Sequence, residues 1–269
     1  RSIVVTGTHF SRDHSDAAQR KAIRIAGASG GKVVFDIDYR PNLWGLAGHA
    51  EGFERYVKSD HVSSRLKTVL PDCDLIVGTE EEFHIAGGTT DTIQALRNVR
   101  KVSTATLVCK RGPMGAVAFA DEIAETLDEG QSGPGFPIEV FNVLGAGDGF
   151  MSGLLKGWLT DRDWPTALTY ANACGAFAVS RHGCTPAYPS LAELEFFLKR
   201  GVVRPDLRND AELEQIHWST NRQGDWSAMR VFAFDHRKQL EAMEGYTPAK
   251  GAAFKQLCLR AAIEGQDGR

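Results

Sequence analysis

The chain has 269 residues, 42% hydrophobic and 24% charged, with 31 Lys+Arg against 34 Asp+Glu and a formal net charge of −3. These proportions exclude a disordered or fibrous chain and suit one large or two modest domains. The near-balance of charge gives no general attraction for nucleic acid or an anionic membrane, and no apolar run reaches the roughly 18 residues of a membrane-spanning helix.

Short apolar runs alternate with helix-like segments along the first two hundred residues. Ile3–Val5 predicts a strand, residues 15–28 a helix, Lys32–Ile37 a second strand and Leu75–Gly78 a third. Thr79 then opens an acidic helix start, Glu80-Glu81-Glu82, which suits the positive end of a helix dipole. A helix over 89–99 precedes a strand over 105–109, and further strands are expected at 116–119 and 136–141. Helices follow at 145–159, 164–180 and 190–199. Strands spaced by helices predict an α/β fold with a mostly parallel sheet, helices on both faces and ligands at the carboxyl ends of the strands.

After Gly201 the composition turns polar. Residues 201–228 read as a linker with one short helix, and 229–234 as a strand that begins a second, incomplete domain over 229–269. The first residue is Arg1 rather than Met, directly ahead of a strand, which reads as an internal piece of a longer polypeptide. Five cysteines, an odd number without a CxxC pair, argue against a disulfide framework or a zinc site and for a reducing cytoplasm. His9, His14 and His49 read as surface or loop histidines.

The most informative segment is Asn142-Val143-Leu144-Gly145-Ala146-Gly147-Asp148-Gly149, with an apolar helix leaving it. Gly145, Ala146 and Gly147 carry almost no side chain, so their N–H groups can approach an anion where the helix dipole also favours negative charge. Such a place binds a phosphate or a transferring phosphoryl group. Asp148 beside it can accept the proton of an attacking hydroxyl. By themselves these residues equally suit a glycine-rich helix start with Asp as a plain cap.

The Gly-Ala-Gly-Asp run, with small Ser152-Gly153 after it, resembles the second signature of the ribokinase-like (PfkB) carbohydrate kinases, and the resemblance extends over residues 1–198. It implies a ribokinase-like three-layer sandwich whose N-terminal part is missing. Lys110-Arg111-Gly112-Pro113-Met114-Gly115 looks like the family's nucleotide loop, with Gly112 and Gly115 allowing close approach to ATP phosphates and Lys110 supplying charge. Gly78-Thr79-Glu80-Glu81 occupies the place of the family's Asn-x-x-Glu motif, which implies that Glu81 positions Mg2+ through its waters. Asn172 falls on the helix implied to line the adenine pocket. Asp36-Ile37-Asp38-Tyr39-Arg40-Pro41-Asn42-Leu43-Trp44 resembles a stretch of the members that act on keto-deoxy sugar acids, and implies that Arg40 clamps a phosphate or a substrate carboxylate. Asn142 stands where many members have an Asp that helps hold a monovalent cation, which leaves such a cation open as a cofactor beside ATP and Mg2+.

The implied activity is phosphorylation by ATP of the primary hydroxyl of a sugar acid, 5-dehydro-2-deoxygluconate foremost. The alternatives are 2-keto-3-deoxygluconate and fructose. Residues 231–240 resemble the opening of an aldolase-like barrel domain. A reading of another class is a catalytically silent kinase-fold domain that supports that partner domain. The resemblance further implies a sugar acid and ATP as small-molecule partners and a homo-oligomer in the full-length parent, while the charge balance predicts neither nucleic acid nor membrane as a partner.

Overall fold

The computed structural model describes residues 1–46, 56–221, 232–234, 236 and 238–265. They form two units, Arg1–Asn221 and Arg222–Arg269. Among its described residues the first unit holds six strands: β1 (Ser2–Thr6), β2 (Lys32–Asp36), β3 (Leu75–Thr79), β4 (Thr106–Lys110), β5 (Ala116–Phe119) and β6 (Gln131–Gly133). Its helices are α1 (Asp13–Ala28), α2 (Asp60–Lys67), α3 (Glu80–Gly87), α4 (Thr92–Arg100), α5 (Ala146–Trp158), α6 (Trp164–Ser180), α7 (Leu191–Arg200) and α8 (Ala211–Asn221). The strands form one sheet in sequence order. β1 to β4 run parallel, and β5 and β6 are added antiparallel.

Alternation along each strand builds three layers. Val33, Phe35, Ile76, Leu107, Val117 and Phe119 bury one face against α1 to α4. Val34, Leu75, Val77, Val108, Ala116 and Ala118 bury the other against α5 and α6. On that second side α5 and α6 meet backbone to backbone: a Cβ on Gly153 would lie 2.3 Å from the Tyr170 carbonyl oxygen. Small Gly153 in the signature therefore serves packing.

The last strand of the sheet is not the expected 136–141 but residues 131–133. Pro137 lacks an N–H for a ladder. The amides of Phe141 and Asn142 both turn to the Val179 carbonyl, at 2.7 and 2.9 Å, and that of Glu139 to Pro205. Residues 136–141 therefore cross the end of α6 as extended chain.

The region expected to be a linker folds, up to Asn221, onto the first unit. Leu207 and Leu213 are fully buried beside Phe177 and Phe197, and the Leu207 amide donates to Ser180 Oγ. The charges that suggest a solvated segment are paired: Arg200 with Asp210 and Glu212, and Arg181 with Glu193 and Glu214.

In the second unit, α9 (Lys238–Glu241) and α10 (Pro248–Glu264) are described. Thr247 caps α10 by accepting the Lys250 amide, and Pro248 pre-sets its first turn. Of the expected strand, residues 229–231 lie outside the described residues. Residues 232–234 are not in a strand, and no partner strand exists among the described residues of this unit. His49 also lies outside the described residues, and His9 and His14 are exposed.

Candidate active site

The last residues of the four parallel strands, Thr6, Asp36, Thr79 and Lys110, line one cavity of about 770 Å3. The two-residue period sets their direction: Asp36 shares a face with Val34, Thr79 with Val77, and Lys110 with Val108, the side that packs on α5 and α6. Register places Asp36 opposite Val77 and Thr79 opposite Lys110. The polar ends of apolar strands thus converge where the sheet meets the start of α5.

Lys110 Nζ lies 3.3 Å from Asp36 Oδ1 and 3.5 Å from Glu82 Oε2. All three side chains are largely buried. Burial opposes the charge on Lys110, yet Glu82 and Asp36 together outweigh it, and its pKa is raised. Burial pushes the Asp36 carboxyl up to about 6, with Lys110 holding it down and Glu82 and Asp38 adding to the rise. Glu82 is fixed by a capping box: its Oε2 accepts the Thr79 amide at 2.7 Å, and Thr79 Oγ1 accepts the Glu82 amide.

The Gly145–Asp148 loop faces the same cavity. Gly145, the residue before α5, has φ +81°, and α5 has no side-chain cap. A Cβ on Gly145 would lie 2.3 Å from Cys184 Sγ, so both the dihedral and the space demand glycine. Tyr188 Oη donates to the Gly145 carbonyl at 3.0 Å and fixes the turn from behind. Gly145, Ala146, Gly147 and Asp148 all line the cavity. A Cβ on Gly147 would come 4.0 Å from Lys110 Nζ, so the buried ammonium reaches the loop. The start of α5 has no side-chain cap and the Ala146 amide turns back to the Val143 carbonyl at 3.3 Å, so that with the Lys110 ammonium beside it such a helix start could receive an anion.

The other expected residues divide. Lys110, Gly112 and Gly115 line the cavity from the hairpin between β4 and β5. Gly115, at φ +89°, also packs against the Gly133 carbonyl, where a Cβ would lie at 2.2 Å. Asn172 lines the cavity too, while its Nδ2 donates to the Gly133 carbonyl at 3.1 Å and ties α6 to β6. Arg40 stands at the rim, 59% exposed, its Nε donating to Asp38 Oδ1 at 3.0 Å. Asp38 is held at φ +32°, with its carbonyl accepting from Thr8 Oγ1 at 2.6 Å.

Glu81 does not belong to this group. It does not line the cavity and its side chain points out to solvent; Glu82 lines it. The Asn-x-x-Glu spacing fits one residue later, as Thr79-x-x-Glu82. A Cβ at Gly78 would lie 2.7 Å from Ile37 Cδ1, so a side chain there would have to displace the tip of Ile37. Asp36, Thr79 and Tyr188 join the site without having been expected from sequence. The usable signal for the first two was their place as strand-terminal residues. Tyr188 gave none, because its contact spans 43 positions.

A family model for pfkB family carbohydrate kinases matches residues 6–191. The chain belongs to this family. A second model, described as an uncharacterised protein conserved in bacteria (DUF2090), matches residues 193–269, a span that takes in residues 229–269, where the start of an aldolase-like domain was expected, and begins 36 residues before it. The kinase portion is similar to proteins named 5-dehydro-2-deoxygluconokinase. The one from Geobacillus kaustophilus is 28% identical over 204 residues, and that from Halalkalibacterium halodurans 29% over 201; each match covers 74% of this chain and 56% of the relative. The chain thus spans little more than half the length of these relatives. Among solved structures, an E. coli protein described as ribokinase II, in complex with ATP and Mg2+, is 26% identical with a TM-score of 0.61. That match covers 74% of this chain and 59% of the other. The α/β fold expected from the sequence is that of the pfkB kinases.

Among the described residues, no group of three or more His, Cys, Asp or Glu side chains is arranged to hold a metal ion. Mg2+ keeps several of its waters and prefers carboxylate oxygen. Glu82 and Asp148, both lining the pfkB cavity, are the carboxylates that would face such an ion's waters. Burial pushes the Cys73 and Cys174 thiols up to about 12, which leaves both inert as nucleophiles at neutral pH.

Proposed function

We propose that this chain carries the phosphoryl-transfer site of an ATP-dependent kinase whose acceptor is the primary hydroxyl of a keto-deoxy sugar acid, with 5-dehydro-2-deoxygluconate as that acid. The observation that carries this reading is the convergence of Asp148, the uncapped start of α5 and the Lys110 ammonium on one cavity.

The Asp148 carboxylate accepts the proton of the sugar hydroxyl as its oxygen attacks the γ-phosphorus. The bond from that phosphorus to the bridging oxygen breaks, and ADP leaves. The Gly145 and Gly147 amides donate to the oxygens of the group in transit, that of Ala146 joins them on leaving the Val143 carbonyl 3.3 Å away, and Lys110 adds positive charge on the side of the sheet. Asn172, Gly112 and Gly115 contribute the nucleotide side. A bound Mg2+ would be held through its waters by Glu82 and Asp148 and would neutralise phosphate charge. Arg40 at the rim supports an acid over a neutral sugar, since a guanidinium pairs bidentately with a carboxylate.

The test follows ADP release from ATP with 5-dehydro-2-deoxygluconate, 2-keto-3-deoxygluconate and fructose as acceptors. Turnover highest with the first, and abolished in Asp148→Asn, is expected. Preference for fructose would overturn the acid assignment. Nucleotide binding without turnover on any acceptor would favour a silent domain serving the DUF2090 portion.

A further inference from the structure

We infer that the side-chain amide of Asn142 takes the place of a monovalent cation beside the anion loop, so that the site is assembled without one. This rests on the reading of residues 145–148 as the phosphate loop. Asn142 lies three residues ahead of Gly145, on the segment leading into α5. Its Oδ1 accepts the Leu144 amide at 3.1 Å, and since only an oxygen can accept there, the orientation of the group is set. Nδ2 at the other end donates to the Gly183 carbonyl at 2.9 Å, with the Leu144 carbonyl 3.5 Å from the same nitrogen.

A monovalent cation at a junction of two loops is held by carbonyl oxygens and favoured by a carboxylate. Here the carbonyls of Leu144 and Gly183 face an N–H donor instead, and the side chain that faces them is neutral. An incoming cation would have to displace Nδ2 and would gain no negative charge in return. The amide does the cation's mechanical work: it joins the segment before the anion loop to the segment after α6. A second tie runs between the same segments, from Tyr188 Oη to the Gly145 carbonyl at 3.0 Å. From the other side, the amides of Phe141 and Asn142 hold the segment to Val179. The residues therefore do not fit a cation, contrary to what the resemblance left open.

The experiment compares thermal unfolding and ADP affinity in potassium chloride and in tetramethylammonium chloride at equal ionic strength, for the natural chain and for Asn142→Asp. The natural chain is expected to give the same midpoint and the same affinity in both salts. Asn142→Asp restores a carboxylate and removes the donor, and is expected to gain a saturable, potassium-specific rise in both. A potassium-specific rise in the natural chain as large as that of the variant would overturn the inference, as would a variant indifferent to potassium. Should Asn142→Asp fold in neither salt, Asn142→Ala, which frees the two carbonyls without adding a carboxylate, takes its place: a smaller potassium-specific rise is expected, and indifference to potassium would overturn the inference. Failure of ADP to bind the natural chain in either salt would count against the kinase reading, while the unfolding midpoints would still decide the role of Asn142.

Discussion

Lys110 at the end of β4 and Asp36 at the end of β2 are 74 residues apart in sequence, and their charged groups lie 3.3 Å apart. One strand, β3, separates them, and it contributes the third partner, since Glu82 is fixed to its last residue. Two carboxylates thus share a single buried ammonium beneath the anion loop. Lys110→Met would leave Asp36 and Glu82 facing each other without a counter-charge. It should destabilise the fold by about 3 kcal/mol, the cost typical of breaking a buried pair from one side, read as a lower urea midpoint with an unchanged slope. Pairing it with Asp36→Asn should recover part of that loss.

The raised Asp36 carboxyl gives stability a pH dependence. Its folded pKa of about 6 lies above the ordinary 3.8, so the folded state holds this proton more tightly than the unfolded chain does. Asp36 therefore makes stability fall as pH rises from about 4 to about 6, with no further change from this group above that range. The Asp36→Asn variant, which carries no titrating group at this position, lacks that slope. Urea midpoints of the natural chain and of Asp36→Asn should diverge in the variant's favour across that window, by on the order of 2–3 kcal/mol once complete. Parallel profiles would contradict the assignment.

Asp148→Asn keeps the shape of the helix start and removes the proton acceptor. Turnover should fall roughly a hundredfold to ten-thousandfold, the range expected for a positioned general base. ADP affinity and the unfolding midpoint should hold, which separates loss of chemistry from loss of binding. An equal fall in affinity would instead mark Asp148 as part of the binding surface.

The acidic helix start offers a paired test. Glu82→Gln should lower turnover by more than about tenfold, since Glu82 lines the cavity and braces Lys110. Glu81→Gln, at an exposed position outside the cavity, should change turnover by less than about twofold. The reverse order would return the motif glutamate to position 81.

Behind the loop, Tyr188→Phe removes the donor to the Gly145 carbonyl and should cost about 1 kcal/mol of stability. A severalfold weaker affinity for ADP is expected with it. Gly145→Ala should cost more, at least about 2 kcal/mol, because a left-handed dihedral and a clash with Cys184 both oppose it. Calorimetric unfolding and ADP titration of both variants check the order.

Local chemistry made much of this protein legible in one dimension. The parallel strands are dense in Val, Ile and Leu, the helices carry their own caps at Thr79, Asp163 and Ser190, and Gly-Ala-Gly-Asp points to the proposed anion loop because only small residues let backbone amides reach a ligand. Side-chain pairing across the sheet was out of reach, because it depends on register and strand order, which join residues far apart in the chain. That is why Asp36 and Glu82 emerged as partners of Lys110 only in three dimensions, why the motif glutamate moved from position 81 to 82, and why residues 202–221 proved packed rather than linking. Their charges balance only once Arg181 and Arg200 meet their carboxylates. The amide of Asn142 belongs to the same class: the sequence supplies the donor, and the folded chain supplies the two carbonyls it faces.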